Sequence, residues 1–131
     1  MKLLLPEYID IVKAHEVIGE YIHRTPVMTS KSINSIFKSE IFFKCENFQK
    51  VGAFKFRGAT NAIMSLSENE MKKGVGTHSS GNHAAAVCLA AKMKGIPAYI
   101  VMPHTAPEIK IKAVKKYGGK ITFCEPTLES R

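Results

Sequence analysis

Lys55 stands between Phe54 and Phe56, beside Arg57, in a segment bounded by Gly52 and Gly58. A lysine amine becomes a nucleophile at neutral pH when its ammonium form is disfavoured by apolar surroundings or a nearby cation. Phe54 and Phe56 supply apolar bulk in sequence, and Arg57 supplies positive charge. The two glycines let the backbone bend sharply or approach a partner closely. The same pattern also suits a surface lysine at the start of a helix whose flanking aromatics point into the core. Further along, Ser79-Ser80-Gly81-Asn82-His83 runs straight into the alanine-rich segment Ala84 to Ala91, a strong helix former. Free amides at a helix N-terminus, with hydroxyls and an amide side chain beside them, bind carboxylate or phosphate. Simple capping by Ser80 or Asn82 needs no ligand, but it leaves five consecutive polar or glycine residues unexplained. A reactive amine and an anion cradle together suit a phosphorylated aldehyde.

Other residues carry weaker signals. His78 and His83 have no acidic or cysteine partner at metal-ligand spacing. Glu46 and Asp10 lack a spaced carboxylate for acid–base work. No glycine signature of the P-loop or dinucleotide type is present, which argues against an NTPase and against a self-contained dinucleotide domain.

The elements that must position these residues follow from periodicity. Pro6 to Ile22 reads as an amphipathic helix with Ile11, Ala14, Ile18 and Ile22 on one face, ending before Thr25-Pro26. Ser30 to Phe37 fits a short helix, Glu40 to Glu46 a strand, and Ala59 to Leu66 a helix. Glu68 to Lys73 is a polar passage suited to a domain crossing. Val75–His78, Ala98–Met102 and Lys120–Cys124 read as strands, with helices at Asn82–Lys94 and Pro107–Tyr117 between them. Gly95, Gly118 and Gly119 stand where helix C-termini want positive φ. Alternating strands and helices joined by short turns predict an α/β fold, an open parallel sheet flanked by helices. In such sheets ligands collect at the carboxyl ends of the strands, where the 79–83 loop falls.

Composition narrows the class. The chain has 131 residues and a formal net charge of +8, with lysines spread along its length. Only Lys110, Lys112, Lys115, Lys116 and Lys120 approach a cluster, at a spacing that fits the wet face of a helix. Few arginines and no tryptophan accompany them, which argues against nucleic-acid binding. Cys45, Cys88 and Cys124 are odd in number and set in apolar surroundings, a pattern of reduced, mostly buried thiols. Three apolar residues before Pro6 are too few for a signal-peptide core, and no run approaches membrane-span length. A cytoplasmic protein with no membrane partner is the expectation.

Taken together, the segment Glu46 to Ala59, Ser79-Ser80-Gly81-Asn82-His83-Ala84, Gly95 to Pro103, Thr105-Ala106-Pro107 and Cys124-Glu125-Pro126 resemble one family. It is the serine racemase and serine/threonine dehydratase family, pyridoxal-phosphate enzymes of the tryptophan-synthase-β fold type (fold type II). The resemblance implies that Lys55 holds pyridoxal 5'-phosphate as a Schiff base and shuttles the substrate's α-proton. It implies that Phe54 packs against the cofactor ring and that Asn82 bonds its phenolic oxygen. Ser79, Ser80, Asn82 and His83 would gather around the amino-acid substrate. Ser80 would act on the face opposite Lys55, where many biosynthetic threonine dehydratases carry alanine.

The resemblance further implies an incomplete two-domain fold, with residues 1–69 in the large cofactor domain and 70–131 in a partial small domain. It places the glycine-rich phosphate cup, the partner of the pyridine nitrogen and the ligands of a divalent cation (Mg or Ca) beyond Arg131. A full-length form would be a homodimer acting on a small amino acid. The expected activity is conversion of L-serine to D-serine, and of serine or threonine to keto acid plus ammonia. The 131-residue chain alone is expected to have little or no activity. Val51 and Ala53 depart from the threonine and serine frequent in animal serine racemases, and the Gly-Ala-Phe-Lys-Phe-Arg form also occurs in hydroxyaspartate ammonia-lyases. A threo-3-hydroxyaspartate ammonia-lyase or threonine dehydratase is therefore the alternative. A non-catalytic truncated product acting as a binding or interaction module is the rival of another class.

Overall fold

The computed structural model describes residues 5–130. The chain runs α1 (Tyr8–Ile18), β1 (Val27–Thr29), α2 (Lys31–Phe37), β2 (Phe42–Lys44), α3 (Lys55–Met64) and α4 (Glu68–Met71). It continues with β3 (Val75–His78), α5 (Asn82–Lys94), β4 (Ala98–Pro103), α6 (Glu108–Lys116) and β5 (Lys120–Cys124). Strands β3, β4 and β5 form a parallel sheet in sequential order, as the alternation of elements requires. A separate antiparallel pair, β1 with β2, is exposed along its whole length.

The core forms around α5. Ala84, Ala85, Ala86, Val87, Cys88, Ala90 and Ala91 are all buried, so this helix is apolar nearly all round, as a central helix must be. It packs on Phe56, Ala59 and Ile63 of α3 at one side and on Ala98, Ile100, Met102 and Val114 at the other. Gly95 closes α5 at φ +76, its N–H donating to the carbonyls of Ala91 and Lys92. At the same end, Lys94 Nζ donates to the carbonyl of Met64, the last residue of α3.

Several elements differ from the sequence expectation. Helix α1 stops at Ile18, and turn residues replace the expected continuation to Ile22; of its expected apolar face only Ile18 is buried. Strand β2 keeps three residues of the expected seven because its partner β1 offers only three. Ile41 N–H goes to Asn34 Oδ1 instead, and Glu46 opens a 3-10 turn. Helix α3 begins at Lys55, not Ala59, which puts the lysine in the first helical turn. The polar passage after Ser67 contains the short helix α4. Of the three free cysteines only Cys88 is buried, and burial pushes its thiol up to about 11.

A polar clamp fixes the approach to α3. Glu46 accepts from Arg57 Nε at 2.9 Å, Arg57 Nη2 at 2.7 Å and Thr25 Oγ1 at 2.6 Å. The Arg57 hydrogen bonds, helped by the one from Thr25 and opposed by partial burial, lower the Glu46 carboxyl from 4.5 to about 2. Arg57 is thus neutralised by Glu46 and does not serve as the free cation expected beside Lys55. Gln49, which carries no chemical signal in the sequence, is 3% exposed and fully used. Its Oε1 accepts from the N–H groups of His23 and Lys50, and its Nε2 donates to the His23 carbonyl.

Two outcomes test this packing. A carboxyl with a depressed folded-state value contributes stability that is complete above its unfolded value and lost as pH falls toward the folded one. Wild type therefore loses the Glu46 contribution between pH 4.5 and about 2. Glu46→Gln is less stable at pH 7 and shows a shallower decline through that window in urea midpoints measured against pH. Gly119, expected as a positive-φ cap, is a spacing residue: an added Cβ would collide with Cys88 Sγ and sit 2.7 Å from Val114 Cγ1. Gly119→Ala lowers unfolding free energy by about 1–3 kcal/mol in urea titration through overpacking.

Candidate active site

Two consecutive left-handed residues deliver the chain to Lys55. Val51 has φ +57 and Gly52 φ +68, and a β-branched residue in that region is a rare, strained choice. The reversal they make places Ala53 in the core and starts α3 one residue after Phe54. The two phenylalanines then point to opposite environments. Phe56 is fully buried while Phe54 is 60% exposed, so only one of the two flanking aromatics points into the core. Lys55 itself is exposed, with Nζ 5.2 Å from the centre of the Phe54 ring. Among the described residues nothing covers the amine on its outer side, and a carbonyl can reach it.

Helix packing brings part of the second motif to this amine. Phe54, Lys55, Gly58 and Ala59 of the α3 segment and His83 of α5 line one cavity of about 190 Å³. An added Cβ at Gly58 would meet nothing within 4 Å, and its backbone is helical, so neither space nor a bend requires glycine there. The cavity is smaller than the roughly 300–1,000 Å³ of a complete small-ligand site.

The polar loop continues β3. Ser79 N–H donates to the Val101 carbonyl at 3.0 Å, and Ser79 Oγ accepts from Gly81 N–H at 3.3 Å. Gly81 is the N-cap of α5 and no side chain caps the helix. Capping by Ser80 or Asn82 is therefore not what these residues do. The first-turn amides of α5 have no side-chain partner, which is the arrangement that attracts a carboxylate or phosphate.

Asn82 faces a neighbouring space of about 370 Å³, lined also by Val51, Gly52, Lys110 and Tyr117. Its Oδ1 accepts from Lys110 Nζ at 2.5 Å. Lys110 is half-buried and so departs from the wet-face expectation, whereas Lys112 is exposed and paired with Glu108 at 2.8 Å. No local sequence signal could have paired Lys110 with a residue so far back in the chain. The structure thus joins Phe54, Lys55 and His83 in one cavity and puts Asn82 beside Gly52. Ser79 and Ser80 lie in the half-buried loop between β3 and α5.

A primary amine, an uncapped helix start and an adjacent exposed aromatic ring match a ligand carrying an aldehyde, an acidic group and a flat ring. Pyridoxal phosphate has all three, so the residues present fit it.

Comparison with known proteins agrees with this chemistry. The pyridoxal-phosphate dependent enzyme family matches residues 18–131. The chain is 58% identical to serine racemase of Arabidopsis thaliana over 125 residues, covering 95% of this chain and 38% of that protein. It is 52% identical to beta-hydroxyaspartate dehydratase of Paracoccus denitrificans, covering 98% and 41%. Among solved structures, maize serine racemase superposes with a TM-score of 0.89 at 56% identity, covering 92% of this chain and 36% of that one. Threonine deaminase isoform 2 from Solanum lycopersicum, in its processed form, gives 0.80 at 32% identity, covering 95% and 36%. The chain spans about two fifths of the length of the relatives it matches. With its parallel sheet, flanking helices and these likenesses, the chain belongs to the pyridoxal-phosphate dependent enzymes of fold type II.

Proposed function

We propose that this chain carries the lysine-bearing part of a pyridoxal-phosphate enzyme that racemises serine and eliminates its β-hydroxyl. The observation that carries the reading is the shared cavity of Lys55 and His83 at the N-termini of two packed helices. Lys55 holds the cofactor covalently and moves the substrate's α-proton at Nζ. Phe54 packs on the ring, and Asn82 donates to the phenolic oxygen. Ser79, Ser80, Asn82 and His83 gather the substrate around the α5 N-terminus, with Ser80 Oγ moving a proton on the face opposite Lys55. The cofactor, when bound, supplies an electron sink for the bonds at the α-carbon. Proton return gives D-serine. Loss of the β-hydroxyl as water leaves an enamine, which hydrolyses to keto acid and ammonia.

Residues 1–69 form part of a large domain and 70–131 part of a small one, in a cytoplasmic homodimer with a divalent cation (Mg or Ca) held by residues outside this chain. Among the described residues no helix is long and apolar enough to cross a membrane. Elimination from threo-3-hydroxyaspartate is the second reading, favoured by the beta-hydroxyaspartate dehydratase relative; threonine is the further alternative. Because the chain spans two fifths of its relatives, a non-catalytic binding module is the rival reading for residues 1–131 alone.

Mixing the chain with pyridoxal phosphate, reducing with borohydride and mapping the pyridoxyl mass tests the cofactor role. The adduct concentrates on the Lys55 peptide, with little pyruvate formed from serine by this chain; an adduct spread evenly over the lysines contradicts the reading. In the full-length form, Ser80→Ala loses D-serine formation by about 100-fold or more, in the range of a general acid–base group, while pyruvate formation persists. A Ser80→Ala protein that still racemises refutes the role of Ser80.

A further inference from the structure

A side-chain hydrogen bond joins Lys110 of α6 to Asn82 at the start of α5. An ammonium has three donors and no acceptor, so the amide atom that meets it must be the carbonyl oxygen. The 2.5 Å contact from Lys110 Nζ to Asn82 Oδ1 therefore fixes which way the amide faces. Without such a partner the two ends of an asparagine amide exchange places at low cost. With it, Nδ2 is turned away from α6 and its two N–H donors are presented on the other side. The cation also polarises the amide and strengthens Nδ2–H as a donor.

Two further observations set Lys110 apart from the lysines around it. It is half-buried while Lys112, Lys115, Lys116 and Lys120 are exposed. It also takes part in none of the ion pairs found among the described residues, in contrast to Lys112, which is held by Glu108. Its ammonium is spent on a neutral amide, at the first residue of the helix whose N-terminus opens the candidate site.

We infer that Lys110 is a positioning residue: it locks the Asn82 amide so that Nδ2 is the donor offered to an anionic oxygen of the ligand. This rests on the proposed role of Asn82 toward the phenolic oxygen of pyridoxal phosphate.

The side-chain amide of Asn82 in the ¹⁵N-labelled, cofactor-free chain reports the lock directly, its signal identified by its loss in Asn82→Asp. Lys110→Met moves that signal, Lys110→Arg holds it near its wild-type position, and Lys112→Met, which removes the same charge from the same helix, leaves it in place. A signal unmoved by Lys110→Met overturns the inference.

Pyridoxal-phosphate titration supplies the second arm. Lys110→Met weakens binding about tenfold, the scale of a charge-assisted hydrogen bond, and Lys110→Arg recovers most of the loss. Asn82→Ala combined with Lys110→Met is no weaker than Asn82→Ala alone, because the lysine acts through the amide. Fully additive losses overturn the inference by giving Lys110 an effect of its own. If wild type takes no cofactor on Lys55, the cofactor reading fails and the ligand role of the lock falls with it. The amide signal then shows whether the lock itself stands, so the two failures are distinguishable.

Discussion

The close packing of α3 on α5 is the contact on which the candidate site depends. Alanines at 84, 85, 86, 90 and 91 give α5 little side-chain bulk, which lets the neighbouring helix pack against its backbone. Phe56, Ala59 and Ile63 fill the seam from the α3 side. The C-terminal ends are tied by Lys94 on the Met64 carbonyl, and the N-terminal ends share a cavity. The helices therefore run side by side in the same direction and their starts converge. An amine on one start and open amides on the other are a geometric consequence of that packing.

Polar contacts then set the finer geometry without occupying the site. Glu46 holds Arg57 and Thr25, while Gln49 ties His23 to the turn that precedes α3. Both residues lie upstream of Lys55 in the same short segment, and their pairing accounts for its density of polar types. Buried polar groups of this kind are costly when unpaired, so their complete pairing makes the turn at Val51 and Gly52 a fixed one. The left-handed strain at Val51 is held by this surround.

Much of this is legible in the sequence because the informative features are local. Val75–His78 and Asn82–Lys94 carry their periods and bounding glycines within a few residues, and the structure keeps those spans unchanged. The segment around Lys55 and the polar loop announce themselves by unusual density of small and polar residues. What escapes a sequence reading is set by distant partners. The length of β2 depends on the three residues of β1, and the use of Arg57 depends on Glu46 eleven residues upstream. Lys110 passes for one more solvated lysine because its partner lies 28 residues away. Gly119 passes for a cap because the Cys88 sulfur that excludes a side chain there belongs to another helix.

The central claim is that the start of α3 and the loop before α5 form one ligand site. Backbone amide shifts of the labelled chain during titration with pyridoxal phosphate test it most directly. The account predicts that residues 54–58 and 79–84 move together, along a single saturating curve. Shifts confined to the exposed lysines of α6 and β5, with residues 79–84 unmoved, would contradict it.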